Sequence, residues 1–167
     1  MKPLEPPDSH HLSAAQGWLA LNDVAEAVAE LEKIRPELDS HPDVLETRWQ
    51  ICVKQEKWAE CLELADLMLK TAPEHPASWI SRAYSLRRIP GGGLKAAQKC
   101  LLKGYEKCPW EPVIAFNLAC YACQLGEWEE ARTWLKMARK VGSPEVIKRM
   151  ALKDEDLQPL WTEIAAG

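Results

Sequence analysis

Two cysteines three positions apart are the part of this sequence whose spacing is most suited to chemistry. Cys120 and Cys123 form a Cys-x-x-Cys pair, and two thiolates at this spacing can exchange a disulfide or share a metal ion. Apolar neighbours predict that the pair lies inside a helix, and the sequence contains neither a second such pair nor a glycine-rich zinc ribbon. Because free cysteine often packs as a small hydrophobic residue, packing is the favoured role. A metal or redox protein built on Cys120 and Cys123 stays as the weakest alternative.

Other residues that could support catalysis or hold a cofactor are scattered along the chain. The three glycines at 91–93 lack the following Gly-Lys-Ser/Thr and the preceding strand that a phosphate-binding loop requires. The histidines fall at the chain start and at the joins between predicted helices, and form no ligand set: His10, His11, His41 and His75. No motif unites a nucleophile with a base. We therefore predict no catalytic residue, no metal site and no cofactor.

Composition narrows the class of protein further. The chain has 167 residues and a formal net charge of -4, which disfavours nucleic acid as a partner because phosphate binding requires a basic face. No stretch reaches the roughly 18 apolar residues of a membrane-spanning helix. The opening MKPLEPPDSHH lacks the basic and then apolar pattern of a secretory signal. Six cysteines without such a signal indicate reduced thiols, and we predict a cytoplasmic protein.

The sequence repeats itself at a nearly constant period, which is the signature of a tandem array. A small residue in each predicted second helix recurs at steps of 34, 36 and 34: Ala27, Cys61, Ala97 and Ala131. An equivalent position in each first helix recurs at steps of 34, 34 and 36: His11, Leu45, Trp79 and Ala115. The two extra residues therefore lie between the helices of the third unit, where the chain reads IPGGGL.

Each unit predicts a pair of helices. Two helices of similar length, each about 20 Å long at about 1.5 Å per residue, are joined by a short polar or glycine turn. Prolines at the joins between units end one helix and begin the next. No segment alternates as a strand would, so the fold is predicted to be all-α.

This pattern resembles the tetratricopeptide repeat (TPR) family, whose 34-residue unit reads W-x2-L-G-x2-Y, then A-x3-F, then P. The resemblance covers four units, at about 9–42, 43–76, 77–112 and 113–143. The fourth unit matches best, through Ala115, Leu118, Ala119, Ala122, Ala131, Leu135 and Ser143. Departures occur at Arg48, Trp49 and Arg82, and the first unit has Asp39 in the proline slot with Pro36 nearby.

The resemblance implies an all-α, right-handed superhelical array of helical hairpins. Residues 1–8 would form a flexible N-terminal segment and residues 144–167 would form capping helices. Leu157, Leu160, Trp161 and Ile164 are predicted to lie on one face of the cap, which would cover the last apolar face of the array.

In this family the first helices line a concave groove in which peptides or helices dock. The register assigns one set of side chains to that groove in the first two units: Leu12, Gln16, Leu19, Glu46, Gln50, Val53 and Lys54. It assigns a second set in the last two units: Ile80, Tyr84, Arg87, Arg88, Val113, Phe116, Asn117 and Cys120. Gln50, Lys54, Ile80, Tyr84, Arg87, Arg88, Val113, Phe116 and Asn117 are the predicted contact residues. The alternative is that Phe116 packs between units and the arginines are solvated.

Aromatic and arginine side chains on an exposed face are typical of binding hot spots. The expected partner is thus a protein or peptide with an apolar anchor and an acidic group, which Arg87 or Arg88 would bind through paired hydrogen bonds. Members that clamp the acidic tails of Hsp70 and Hsp90 use lysines, asparagines and an arginine. The matching positions here carry none of these: Leu12, Gln16, Thr47, Ala77 and Ser81.

The resemblance therefore implies a protein-interaction scaffold without catalysis. A dedicated secretion or assembly chaperone for a client protein is the alternative, because short acidic members of the family have that role. Self-association through the exposed faces of the terminal units is a further expectation.

Overall fold

The computed structural model describes residues 3–166, which form helices and turns and contain no β-strand. They divide between Pro73 and Glu74 into two compact units, each with its own set of packed helices. The predicted all-α architecture of paired helices is confirmed. Along residues 3–166, no helix combines the length and the apolar character needed to cross a membrane.

The first unit contains two pairs of antiparallel neighbours. Its elements are α1 (Asp8–Ala20), α2 (Val24–Leu31), a 3-10 turn (Pro36–Leu38), α3 (Pro42–Lys54) and α4 (Trp58–Thr71). The small residues Ala15 and Ala27 are completely buried in its core beside Leu12, Leu31 and Val44. Small side chains at these positions allow α1 and α2 to approach closely.

The second unit contains two more pairs and the closing segment. Its elements are α5 (Pro76–Leu86), α6 (Leu94–Lys107), α7 (Pro112–Gln124), α8 (Trp128–Val141), α9 (Pro144–Ala151), a 3-10 segment (Glu155–Leu160) and α10 (Trp161–Ala166). Helix α7 is the centre of this unit, since α6, α8 and the 3-10 segment all pack on it. Every residue from Ile114 to Cys123 except Asn117 is buried.

Prolines and left-handed residues fix where the helices begin and turn. Pro42, Pro76, Pro112 and Pro144 each lie in the first turn of a helix, where the missing N–H costs no hydrogen bond. The sharp reversals after α1, α3 and α7 each use one residue with positive φ: Asn22, Glu56 and Gly126. The longer connection between α5 and α6 contains the two extra residues that the sequence predicts for the third repeat, 77–112.

A close approach of α5 and α6 explains one further glycine. A Cβ atom on Gly104 would lie 2.7 Å from Cβ and 2.8 Å from Cγ of Trp79. Since such distances are well inside van der Waals contact, only glycine fits against this indole.

The closing segment packs on α7. Leu157 and Leu160 are buried in the core, and Trp161 and Ile164 pack on it. The Trp161 indole Nε1 donates a hydrogen bond to the carbonyl oxygen of Ala151, at 2.8 Å. Gly167, at the end of the predicted cap, lies outside the described residues.

Two features of the first unit differ from the sequence predictions. The predicted flexible segment includes Met1 and Lys2, which lie outside the described residues, but Leu4 packs on the core and Asp8 is buried with 0% exposure. The Asp8 carboxylate accepts hydrogen bonds from the backbone N–H of Arg35 at 2.9 Å and from its Nε at 2.8 Å. Helix α2 has 8 residues, whereas α4, α6 and α8 each have 14.

Candidate functional site

Most of the side chains predicted to contact a partner lie on two neighbouring first helices, α5 and α7. These helices pack against each other within the second unit. Ile80 and Tyr84 are one turn apart on α5, and Val113 and Asn117 are one turn apart on α7; all four are partly exposed. Each helix thus contributes one pair of side chains that point to the same side of that helix.

An arginine extends this surface beyond the end of α5. The guanidinium carbon of Arg88 lies 3.5 Å from the centroid of the Tyr84 ring, within the range of a cation–π contact. Its Nη1 also donates a hydrogen bond to the carbonyl oxygen of Tyr84, at 3.1 Å. These two contacts orient the guanidinium over the ring and give the surface an apolar face next to a positive charge.

Arg87, the neighbouring arginine, is bound by the chain itself. Its Nη2 donates to Oδ1 of Asp156 at 2.9 Å and its Nη1 donates to Oδ2, which forms a two-bond fork. The guanidinium also lies 5.6 Å from the centroid of the Tyr121 ring. The Arg87 and Asp156 side chains are only 25% and 24% exposed, and the fork raises the pKa of Arg87. The carboxylate that Arg87 binds in the structure belongs to the closing segment, whereas the sequence prediction assigned Arg87 to an acidic group of a partner.

Several predicted groove residues are part of the core. Phe116 is 4% exposed and packs in the main apolar cluster, which is the alternative that the sequence left open for it. Cys120, Leu12 and Leu19 are buried as well. A first helix contacts neighbours on more than one side, so its buried stripe is wider than the repeat register alone indicates. The prediction of these four side chains as exposed groove residues is wrong.

The two predicted contact residues of the first compact unit lie on α3. Gln50 and Lys54 are exposed, and the Lys54 Nζ donates to Oδ1 of Asn22 at 2.9 Å. Gln16, on α1, donates to Oγ1 of Thr47 at 3.3 Å. Thr47 and Ser81, two of the positions compared with the Hsp70 and Hsp90 clamp, are buried and so offer no surface to a peptide tail.

The Cys-x-x-Cys pair is enclosed within the second unit. Cys120 and Cys123 are both buried and free, and Sγ of Cys120 donates a hydrogen bond to Oδ2 of Asp154 at 3.6 Å. Burial raises the pKa of both thiols, and the carboxylates of Asp154 and Asp156 raise that of Cys120 further. Both thiols are therefore protonated at neutral pH, which is the unreactive form.

Among the residues that the structure describes, no three His, Cys, Asp or Glu side chains come together as a set of metal ligands.

Asp154, Asp156 and Tyr121 are the residues of this region that sequence reasoning missed. Asp156 accepts the paired hydrogen bonds of Arg87, and Asp154 accepts a hydrogen bond from the Cys120 thiol. The Asp154 side chain also caps the 3-10 segment, because it accepts a hydrogen bond from the backbone N–H of Asp156 at 3.0 Å. The acidic run Asp-Glu-Asp at 154–156 was the available signal. Its target could not be read from the repeat pattern because the segment follows the last repeat.

Comparison with known proteins identifies the fold. No family model matches the sequence, and no curated protein matches it. The structure is similar to the crystal structure of a thermophilic TPR protein from Thermus thermophilus, with a TM-score of 0.73 and 16% sequence identity. The match covers 96% of this chain and 100% of that chain. The chain therefore has a TPR-like fold.

Proposed function

We propose that this protein is a protein-interaction scaffold that binds a peptide or helical segment of a partner on the surface of α5 and α7, without catalysis. The observation that carries the proposal is the partly exposed set Ile80, Tyr84, Val113 and Asn117 beside the ring-stacked Arg88, on first helices of a TPR-like fold. Fold analogy supplies the link from surface to role. We propose a cytoplasmic location.

The chemistry of the surface indicates what the partner presents. Ile80, Tyr84 and Val113 offer apolar area to an anchor side chain, and Arg88 offers a cation to an acidic group. Arg87 is already paired with Asp156, so a carboxylate of the partner would have to displace Asp156 in order to bind Arg87. Gln50 and Lys54, on α3 of the first compact unit, remain a separate proposal of polar contacts.

The proposal is tested by selecting peptides from a displayed random library on the full chain. Affinities of the enriched peptides are then measured for Tyr84→Ala, Arg88→Ala and the control Lys99→Ala, an exposed position on α6. We expect the first two changes to weaken binding by roughly tenfold or more, as hot-spot truncations do, and the control to have no effect. Equal affinities in all folded variants would refute the surface assignment.

Two choices make this test specific. Phe116→Ala is left out because opening a cavity at a buried phenylalanine costs about 3–5 kcal/mol, so it would report on folding. A secretion or assembly chaperone, the alternative role, would differ by keeping a purified, aggregation-prone client soluble.

A further inference from the structure

The early end of α2 leaves a gap in the first unit. Helix α2 stops at Leu31 after 8 residues, and the chain then turns into the 3-10 turn that Pro36 begins. Proline cannot continue a helix because it lacks the N–H and clashes with the preceding turn. Arg35, which would continue the helix, has both its backbone N–H and its guanidinium bound to Asp8. Helix α2 is therefore about 1.7 turns shorter than the 14-residue second helices.

In the second unit, an aromatic pair joins the two second helices. Tyr105 of α6 and Trp134 of α8 have ring centroids 4.9 Å apart at 78°, an edge-to-face contact. Counting from the small residues of the repeat, the positions equivalent to Tyr105 and Trp134 are Arg35 and Leu64. Neither residue has a ring, so the first unit lacks this aromatic contact, and the Arg35 side chain is bound to Asp8 instead.

A groove borders Leu64, one of these two positions, whereas Arg35 does not line it. It has a volume of about 540 Å³ and is lined by α2, α3 and α4 of the first unit, within the usual size range of ligand pockets. Its apolar lining includes Leu31 and Val28 from α2, Ile51 from α3, and Leu64 and Leu67 from α4. Leu67 is 38% exposed although it is a large apolar side chain.

The groove has a negatively charged rim. Glu32, Glu60 and Glu63 line it and are exposed. Arg48, the cation among the lining residues, is bound by the Asp39 carboxylate at 2.6 Å. The Nζ of Lys57 lies 3.7 Å from Oε2 of Glu60, so it offsets one of the three rim carboxylates in part. The net charge of the surrounding unit is also negative, since residues 1–73 contain 7 Lys and Arg and 14 Asp and Glu. A rim of one charge on an apolar groove attracts and orients a partner of the opposite charge.

We propose that this groove binds a basic amphipathic helix of another protein. Its apolar side chains would pack on Leu31, Leu64 and Leu67. Its lysines or arginines would pair with Glu32 and Glu63 and compete with Lys57 for Glu60. A helix is the form that fits because the walls are helices whose backbone groups are already paired. An extended segment would find no strand edge there, whereas a helix satisfies its own backbone. The groove is formed by α2, α3 and α4, so this site is separate from the surface proposed above for α5 and α7.

The probe is a fluorescently labelled helical peptide of about 18 residues, or five turns, with leucine on one face and lysine on the other. A second peptide has glutamate at every lysine position. Fluorescence anisotropy with the full chain should show that the lysine peptide binds at least roughly tenfold more tightly than the glutamate peptide. The double variant Glu60→Lys/Glu63→Lys should abolish that difference.

A matched control separates the groove from general charge attraction. Glu26→Lys/Glu37→Lys makes the same change in net charge at exposed positions that do not line the groove, and it should retain binding of the lysine peptide. Tyr84→Ala should retain it too. Circular dichroism and the thermal midpoint confirm that each variant is folded.

Three results would overturn the proposal. The first is equal loss of binding in both double variants, which means charge attraction alone. The second is absence of binding to the wild-type chain at low ionic strength. The third is a dimer in native mass spectrometry that Leu64→Glu dissociates, which would make a second copy of this chain the occupant.

Discussion

The fork between Arg87 and Asp156 should hold the closing segment against α7. Asp156→Asn keeps the shape of the side chain but removes the charge, so Arg87 retains a weak acceptor at most. Hydrogen bonds to charged groups contribute about 1.5–3 kcal/mol, and exposed ion pairs contribute about 0–1 kcal/mol. With about a quarter of each side chain exposed, we expect a loss of about 1–2 kcal/mol. At about 1.4 kcal/mol per factor of ten, local opening should become about 5–30 times more frequent.

The assay is hydrogen exchange measured by mass spectrometry on peptides that cover Glu155–Ala166. Amide exchange there should accelerate by the predicted factor, while exchange in α1 and α3 should not change. Glu155→Gln is the matched control, because it removes an exposed carboxylate from the same 3-10 segment without touching the fork. Arg87→Lys should cause an intermediate acceleration, since a lysine keeps the charge but cannot form the fork.

Two outcomes would refute this reasoning. Exchange of the closing segment within twofold of wild type in Asp156→Asn would show that Leu157 and Leu160 hold the segment without the fork. The same acceleration in Glu155→Gln would mean that loss of any carboxylate loosens the segment. A double-mutant cycle with Asp156→Asn and Arg87→Gln should give a coupling energy close to the effect of the single change.

Three further changes have distinct expected outcomes. In urea denaturation, Gly104→Ala should lower the free energy of unfolding by about 1–3 kcal/mol because its Cβ would collide with Trp79. Gly17→Ala is the opposite case. Gly17 lies on α1 with open space around it, so alanine there should raise the free energy of unfolding by about 0.5–1 kcal/mol. The guanidinium of Arg35 holds the pKa of Asp8 below its ordinary range. The contribution of Asp8 to stability is therefore complete above the unfolded pKa of about 3.9 and is lost as the pH falls through the lower folded pKa. Asp8→Asn should lower the thermal midpoint at pH 7 and should make the midpoint fall less steeply below about pH 5. Native Cys120 should resist iodoacetamide at mildly alkaline pH and react once urea unfolds the chain, and rapid labelling of the folded protein would contradict its burial.

The repeat period is the property of the sequence that predicts most of the fold. Small residues such as Ala27 and Ala131 recur where two helices touch, and prolines such as Pro112 mark helix starts. The repeat spacing and the prolines together therefore predict pairs of helices. The short length of helix α2 could not be predicted in this way. Pro36 is visible in the sequence, but the attraction of Arg35 to Asp8 joins positions 27 residues apart and depends on packing.

The candidate site was less predictable than the fold for a related reason. Helical register assigns a face to Tyr84, Arg87 and Phe116, but it does not tell how much of that face the neighbouring elements cover. Asp156 lies 69 residues from Arg87, in a segment that no repeat rule describes. The buried position of Phe116 likewise follows from how α7 packs within the second unit, which one helix's pattern does not contain.

The tie between Asp8 and Arg35 bears on how the protein should be shortened for experiments. The proline-rich opening reads as dispensable, and a cut after residue 8 would be a natural choice from sequence. Such a cut would remove the Asp8 carboxylate, which accepts hydrogen bonds from both the backbone N–H and the side chain of Arg35. The segment between α2 and the 3-10 turn would then lose these contacts. Trimming should therefore stop before Leu4, whose side chain rests on the same core.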